Sequence, residues 1–305
     1  MKINRLISFF QIPSYAYRGL FFLLLIFGVA ACNQKPSINI ATKPMTEQHI
    51  LGEMLRILIE KEAGISVKIT HGVGGGTSNI HPALLKGDFD IYPEYTGTAW
   101  NAVLKNTDTY QEVLFPALQD YYTKKFQLEW VGIFGFNNTY GLAVKKEVAD
   151  RHNIKTYSDL AAVSRQLVFG AEYDFFERQD GFVALNNAYG LVFKKNIDMD
   201  IGLKYRAIGQ GQIDVMNIFT TDGQLSSAGL TVLADDRQLY PSYLCGIVVR
   251  SETLRQYPVL RGVLQKFSGV LDDASMAHLN YLVEVEKKDP KEVAITFLRE
   301  KKLLP

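Results

Sequence analysis

The chain has 305 residues, of which 47% are hydrophobic and 21% charged, with a formal net charge of +1. That is ordinary globular composition, long enough for a large core or two lobes. A charge so close to zero gives no electrostatic case for nucleic acid or a polyanionic partner.

The first segment is a targeting signal. Lys2, Arg5 and Arg18 are basic, and no acid precedes Glu47. Gly19 to Ala31 is an apolar run of about 13 residues, too short to span a bilayer comfortably as a helix. It fits the core of a secretory signal with small residues before the cut. Val29-Ala30-Ala31-Cys32 resembles the bacterial lipobox. Residues 1–31 are therefore expected to be a lipoprotein signal peptide and Cys32 the lipidated first residue of the mature chain. The rest would lie outside the cytoplasm. With Cys32 lipidated, Cys245 lacks a disulfide partner, and its apolar neighbours mark a buried, inert thiol.

After a polar tether, Ile38–Ala41 reads as a strand. A helix follows, with Thr46 as candidate N-cap and Ile50, Leu51, Met54, Leu55, Leu58 and Ile59 as its apolar stripe, closed by Gly64. Ser66–Thr70 is a second strand. Gly72 to Thr77 is a flexible turn into a helix that Gly87 closes. Its backbone amides sit at a helix N-terminus, where an anionic group or a plain cap would be equally at home. Asp88, Asp90 and Tyr92 alternate with Phe89 and Ile91, so a third strand is expected to stop at Pro93. Tyr95, Thr96, Thr98 and Trp100 crowd the connection that follows. In α/β sheets ligands collect outside the carboxyl ends of strands. Helices are expected near 97–104 and 109–126.

The middle alternates again. Strands are expected at Tyr140–Val144, Leu167–Ala171 and Ile213–Phe219, with helices at 158–162, 181–189 and 202–210. The end reads as helices 252–267, 272–286 and 291–302. Strand–helix alternation argues for parallel α/β construction, here in two blocks of unequal size. No Pro/Gly/Ser-rich linker joins them, so a hinge would be made of strands or short connections.

The chemistry-bearing patterns are mostly negative. Thr77 stands where a Walker loop needs Lys and where the dinucleotide fingerprint needs its third Gly. The 5 histidines make no metal pattern and read as surface or cap residues. Asp235-Asp236 reads as a solvated turn. What remains is aromatic rings in polar turns: Tyr95, Tyr140, Phe219 and Tyr243 each follow a strand-like stretch or a turn signal. Ring faces can recognise a quaternary ammonium at roughly 0.5–2 kcal/mol each. The pattern leaves a cation cage and ordinary packing both open.

At these residues the chain resembles the substrate-binding proteins of bacterial ABC importers for glycine betaine, choline, carnitine and related osmoprotectants. The landmarks are Ala41-Thr-Lys-Pro-Met-Thr-Glu-Gln48, Gly87-Asp-Phe-Asp-Ile-Tyr-Pro-Glu-Tyr-Thr-Gly-Thr98, Asn138-Thr-Tyr140, Thr221-Asp-Gly223 and Tyr240-Pro-Ser-Tyr243, in that order. The resemblance implies an α/β fold of the type II periplasmic-binding-protein kind, two lobes joined by two crossing segments. Lobe 1 would comprise 32–138 and 222–305, and lobe 2 would comprise 139–221. It implies a ligand-binding set in which Tyr95, Tyr140, Phe219 and Tyr243 hold the cation, while Lys43, Thr98 and Arg178 hold a carboxylate. Two departures stand out. Phe219 replaces a common Tyr, keeping the ring face and losing the hydroxyl. Asn138 replaces an acid found in some members, which removes a negative charge near the head group.

The implied function is capture of a small quaternary-ammonium osmoprotectant and its delivery to an ABC permease and, through it, its ATPase. The protein would be a monomer without cofactor, metal or catalytic residues, held on the periplasmic side of a bacterial membrane by the lipid on Cys32. Within binding proteins the alternative ligand is another small zwitterion, such as an amino acid or opine. The distant alternative is an extracytoplasmic hydrolase using Asp88, Asp90 or Glu94.

Overall fold

A computed structural model describes residues 37–240 and 242–305. The expected signal peptide and Cys32 lie outside the described residues. Two five-stranded sheets organise the rest. The first contains β1 (Ser37–Ala41), β2 (Ser66–Thr70), β3 (Ile91–Tyr95), β4 (Leu128–Asn137) and β10 (Leu244–Arg250), in the order β2-β1-β3-β10-β4. The second contains β5 (Tyr140–Lys145), β6 (Val168–Ala171), β7 (Lys195–Asp198), β8 (Val215–Phe219) and β9 (Leu230–Val232), in the order β7-β6-β8-β5-β9. Each sheet mixes parallel and antiparallel neighbours: β1 runs parallel to β2 and β3, and β10 antiparallel to β3 and β4. The two α/β lobes expected from the sequence are built on these sheets.

Helix α1 (Thr46–Ala63) carries the first lobe. Ile50, Leu51, Met54, Leu55, Leu58 and Ile59 are all fully buried, so the 3.6-residue stripe read from sequence is the face it packs. Gly64 ends it in the left-handed conformation. Thr46 is its first residue rather than its cap; Met45 holds the N-cap position and no side chain caps the helix. Helix α2 (Thr77–Lys86) follows the glycine turn. The expected helix 252–267 divides into Ser251–Gln256 and Val259–Gln265. Pro258 between them cannot donate the interior hydrogen bond and disfavours a helical residue before it. Helices α3 (Asp273–Glu284) and α4 (Pro290–Glu300) close the lobe around α1.

Two further sequence expectations need correction. β3 runs through Pro93 to Tyr95 and pairs with β10, Pro93 standing opposite Ile247. β1 meets β3 only at Ile40–Ile91, so at Pro93 the strand is paired on one side and an imino nitrogen is tolerated. The ten-residue β4 was not expected at all. Gly132 and Gly135 hold positive φ inside it, and its register with β10 shifts twice, so the period-2 pattern is lost. β9 pairs with β5 in the second sheet and Ala234 bridges to Thr156.

The crossings hold one another. Between β4 and β5 stand only Asn138 and Thr139. The Thr139 amide donates to the Thr220 hydroxyl at 3.1 Å, and Thr220 donates its own amide to the Thr139 carbonyl at 3.0 Å. The Tyr243 amide donates to Asn137 Oδ1 at 2.6 Å, and the Asn138 amide donates to the Tyr243 carbonyl at 3.2 Å. Gly97 lets this bundle close: a Cβ there would fall 2.7 Å from the Ser242 carbonyl and from the Tyr243 ring. That is the physical reason for glycine in Tyr-Thr-Gly-Thr.

Two outcomes follow. Gly97→Ala should destabilise the fold by about 1–3 kcal/mol through overpacking, measured as a lower urea midpoint at unchanged slope. Burial and the neighbouring Asp222 push the Glu284 carboxyl up to about 7. A carboxyl raised in the folded state stabilises fully below its ordinary value and loses that contribution as pH rises through the raised one. Melting temperature should therefore fall from about pH 5 to about pH 8, and Glu284→Gln should flatten that part of the profile.

Candidate functional site

A cavity of about 450 Å³ opens between residues of the two sheets. It is lined by all eight residues singled out from sequence: Lys43, Tyr95, Thr98, Asn138, Tyr140, Arg178, Phe219 and Tyr243. Strand ends supply most of them. Tyr95 is the last residue of β3, Tyr140 the first of β5, Phe219 the last of β8, and Tyr243 directly precedes β10.

The rings gather around Tyr140. Its centroid lies 5.3 Å from Phe219 at an interplanar angle of 34°, and 5.8 Å from Tyr243 at 72°. Tyr240 and Phe175 buttress it edge-on at 5.3 and 5.0 Å. These spacings belong to favourable tilted and edge-to-face packing, so the ring faces are held at fixed angles. Tyr95 lines the same cavity from β3. Its hydroxyl donates to Glu47 Oε1 at 2.5 Å and accepts from Gln48 Nε2 at 3.0 Å.

Each of three rings carries a cation of the protein. Lys43 Nζ stands 4.5 Å from the Tyr95 centroid, the Arg178 guanidinium 5.8 Å from Tyr140, and Lys204 Nζ 5.0 Å from Phe219. Each cation is also paired with a carboxylate: Lys43 with Glu94 at 2.5 Å, Arg178 with Asp180 at 2.5 Å, and Lys204 with Glu172 at 2.8 Å. A desolvated ring quadrupole attracts such cations, and the carboxylates keep them from being buried unpaired.

These pairs refine the expected carboxylate hook. Arg178 Nη2 reaches Thr98 Oγ1 at 3.3 Å, so the two residues meet although they come from different sheets' lobes. The Asp180 carboxylate takes Nε and Nη2 of Arg178, and also accepts from the Tyr243 hydroxyl at 2.9 Å. Nη1 of the guanidinium donates no hydrogen bond among the described residues. Lys43 reaches the cavity wall but gives its ammonium to Glu94, which also accepts from the Thr77 hydroxyl at 2.7 Å. The glycine turn meets an anion of the protein itself, since a Cβ on Gly76 would come 3.4 Å from Asp174 Oδ2.

Several residues were missed. Glu172, Asp174, Asp198 and Asp200 line the cavity from the second lobe. Burial pushes the Asp174 carboxyl up. Asp198 ends β7, a strand whose Lys195-Asn-Ile-Asp198 sequence carries no apolar alternation; the strand-end rule would have found it had the strand been recognised. Glu47 is not singled out by the sequence. It is 2% exposed, and Asn138 Nδ2 donates to it at 2.9 Å. The carboxyl group that position 138 lacks thus stands directly behind it, on Glu47. Of the acids weighed for hydrolysis, Asp90 accepts from the Asn39 amide and the Thr253 hydroxyl, each at 2.8 Å, and Glu94 serves Lys43 and Thr77. His81 is buried against the Tyr92 hydroxyl at 3.2 Å, not at the surface, and burial lowers its pKa. Among the described residues no group of His, Cys, Asp or Glu is arranged to hold a metal, and no helix is long and apolar enough to cross a membrane.

The chain is 49% identical over 268 residues to the ergothioneine transport permease/ergothioneine binding protein EgtU of Helicobacter pylori; the match covers 88% of this chain and 48% of that protein, about half its length. It is 33% identical over 270 residues to the carnitine transport binding protein OpuCC of Listeria monocytogenes, covering 88% of this chain and 87% of that one. A solved structure described as a glycine betaine/carnitine/choline ABC transporter superposes with a TM-score of 0.70 at 33% identity, covering 87% of this chain and 98% of its own. Residues 36–300 match the family described as the substrate binding domain of ABC-type glycine betaine transport systems, and the chain belongs to that family.

Proposed function

We propose that the protein captures a trimethylammonium betaine in the Tyr140–Phe219–Tyr243 cage and delivers it to an ABC permease, and that ergothioneine is the ligand the cavity suits best. The observation that carries the betaine class is the cage standing beside the Arg178–Thr98 hook on one cavity wall. A methylated ammonium offers no hydrogen-bond donor and is held by ring faces. A carboxylate at the other end of the molecule takes charge-assisted donors from Arg178. Tyr95 and Thr98 come from one short turn and address both ends of the ligand.

The choice within the class rests on the second-lobe acids. Ergothioneine is the betaine of histidine with a thione on its imidazole, so it presents N–H donors that Asp174, Asp198 or Asp200 can accept. Glycine betaine has no such donor. The cavity of about 450 Å³ also has room beyond the cage, and a relative of 49% identity is named as an ergothioneine binder. A second reading, glycine betaine, carnitine or choline, is supported by the family description and by the 33% identical carnitine-binding relative.

Anchoring a ligand from both lobes stabilises a closed form that a permease can recognise. For this motion the lobe border is placed between Asn138 and Thr139 and, on the return, after the bridge at Ala234. The protein would work on the periplasmic face of the membrane as a monomer, anchored by a lipid on Cys32 after loss of residues 1–31. The Val29-Ala30-Ala31-Cys32 sequence supports that anchor.

Calorimetry against ergothioneine, carnitine, glycine betaine and choline tests the reading. Ergothioneine should bind tightest. Arg178→Lys should weaken the carboxylate ligands about 10- to 100-fold and choline by far less, since Lys cannot replace a planar fork. Asp200→Asn should weaken ergothioneine and leave glycine betaine unchanged. If glycine betaine outbinds ergothioneine, the ligand choice is wrong; if none of the four binds, the cage is wrong as well. For the anchor, a radiolabelled fatty acid should be incorporated by the wild type and not by Cys32→Ser.

A further inference from the structure

We propose that Glu47 is a positioning residue that couples the Tyr95 wall of the ligand site to the first crossing, at Asn138, and to Thr221 between β8 and β9 of the second sheet. This rests on the cage reading above and adds to it a residue that does not line the ligand cavity.

Glu47 lies in the first turn of α1, where the helix N-terminus favours a negative charge. It is 2% exposed. Three donors converge on its carboxylate, each from a different moving part. The Tyr95 hydroxyl, at the end of β3, reaches Oε1 at 2.5 Å. Asn138 Nδ2, in the first crossing, reaches the same oxygen at 2.9 Å. The Thr221 hydroxyl, just past β8, reaches Oε2 at 2.6 Å. Thr221 is itself tied back, since its carbonyl accepts from Asn280 Nδ2 of α3 at 2.8 Å.

A buried carboxylate cannot give up one of these donors cheaply, because the charge would be left short of partners. The Tyr95 hydroxyl sits at the far end of the ring from the strand, so the bond sets the ring's tilt toward the cavity. Any rotation of the second lobe that moves Asn138 or Thr221 against α1 changes the same acceptor. Ring tilt and lobe position are thereby read by one group. A second cavity of about 220 Å³, lined by Glu47, Asn138, Thr221 and Asn280, borders the carboxylate and gives these side chains room to shift.

A double-mutant cycle on the full-length protein tests this, with affinities for ergothioneine, glycine betaine and choline. Glu47→Gln and Tyr95→Phe should each weaken all three ligands about tenfold, and the double variant should be no weaker than the worse single one. The loss should be alike for choline and the betaines, because it acts through the trimethylammonium wall. Ligand-induced compaction, followed by small-angle scattering, should shrink in Glu47→Gln. Additive losses, or a lower melting temperature with unchanged affinities, would overturn the coupling. If Glu47→Gln does not fold, Tyr95→Phe with Thr221→Val removes two donors while keeping the acid, and additivity there overturns the proposal equally. Failure of the wild type to bind any of the three defeats the cage reading, and the coupling with it; a wild type that binds while the cycle is additive defeats the coupling alone.

Discussion

A carboxylate buried at the start of the longest helix sets much of this architecture. Glu47 is cut off from water, and desolvation pushes its pKa up while the Thr221, Tyr95 and Asn138 hydrogen bonds pull it back. Such a group is stable only while its donors stay in place. Those donors come from the end of β3, from the β4–β5 crossing and from the segment after β8 of the second sheet. The first lobe's main helix, the ligand cavity and the first crossing therefore share one electrostatic constraint. Gly97 supplies the steric counterpart, since the Tyr243 segment lies where any side chain would stand.

A second constraint concerns charge near aromatic rings. Lys43, Arg178 and Lys204 each sit over a ring of the site and each has its own carboxylate. The rings are thus fixed in orientation and in field by groups of the protein. Phe219 fits this scheme without a hydroxyl because its contribution is the ring face, which Lys204 backs at 5.0 Å.

Much of the fold was legible in local pattern. The α1 stripe and β2 were visible because burial on one face imposes a period on the residues, and β8 because it is a short, nearly continuous apolar run. β4 was hidden because two positive-φ glycines break its alternation, and β7 because its short run is polar and half-exposed. The strand through Pro93 was cut short because proline's penalty depends on whether a neighbour strand stands on its nitrogen side. That neighbour is a matter of topology. The rings that line the cavity were recognisable because their order along the chain resembles a family's; aromatic residues in polar turns left a cage and ordinary packing both open. Glu47, Glu94 and Asp180 gave no such sign, since an acid at a helix start or in a turn is what any exposed segment would carry.

By itself the sequence determined two α/β blocks and the polar turns that hold the rings. These rest on local periodicity and residue type, which a chain carries wherever its segments end up. Tertiary structure alone decided which charges are spent on the protein and which face the cavity. Lys43 was expected to be a ligand hook, and folding brought Glu94 to it from 51 residues away. Thr221 reaches Glu47 across 174 residues. Contacts of that separation leave no local signature, because neither partner's neighbourhood differs from that of an unpaired residue. They exist only once the two sheets and their crossings are in place.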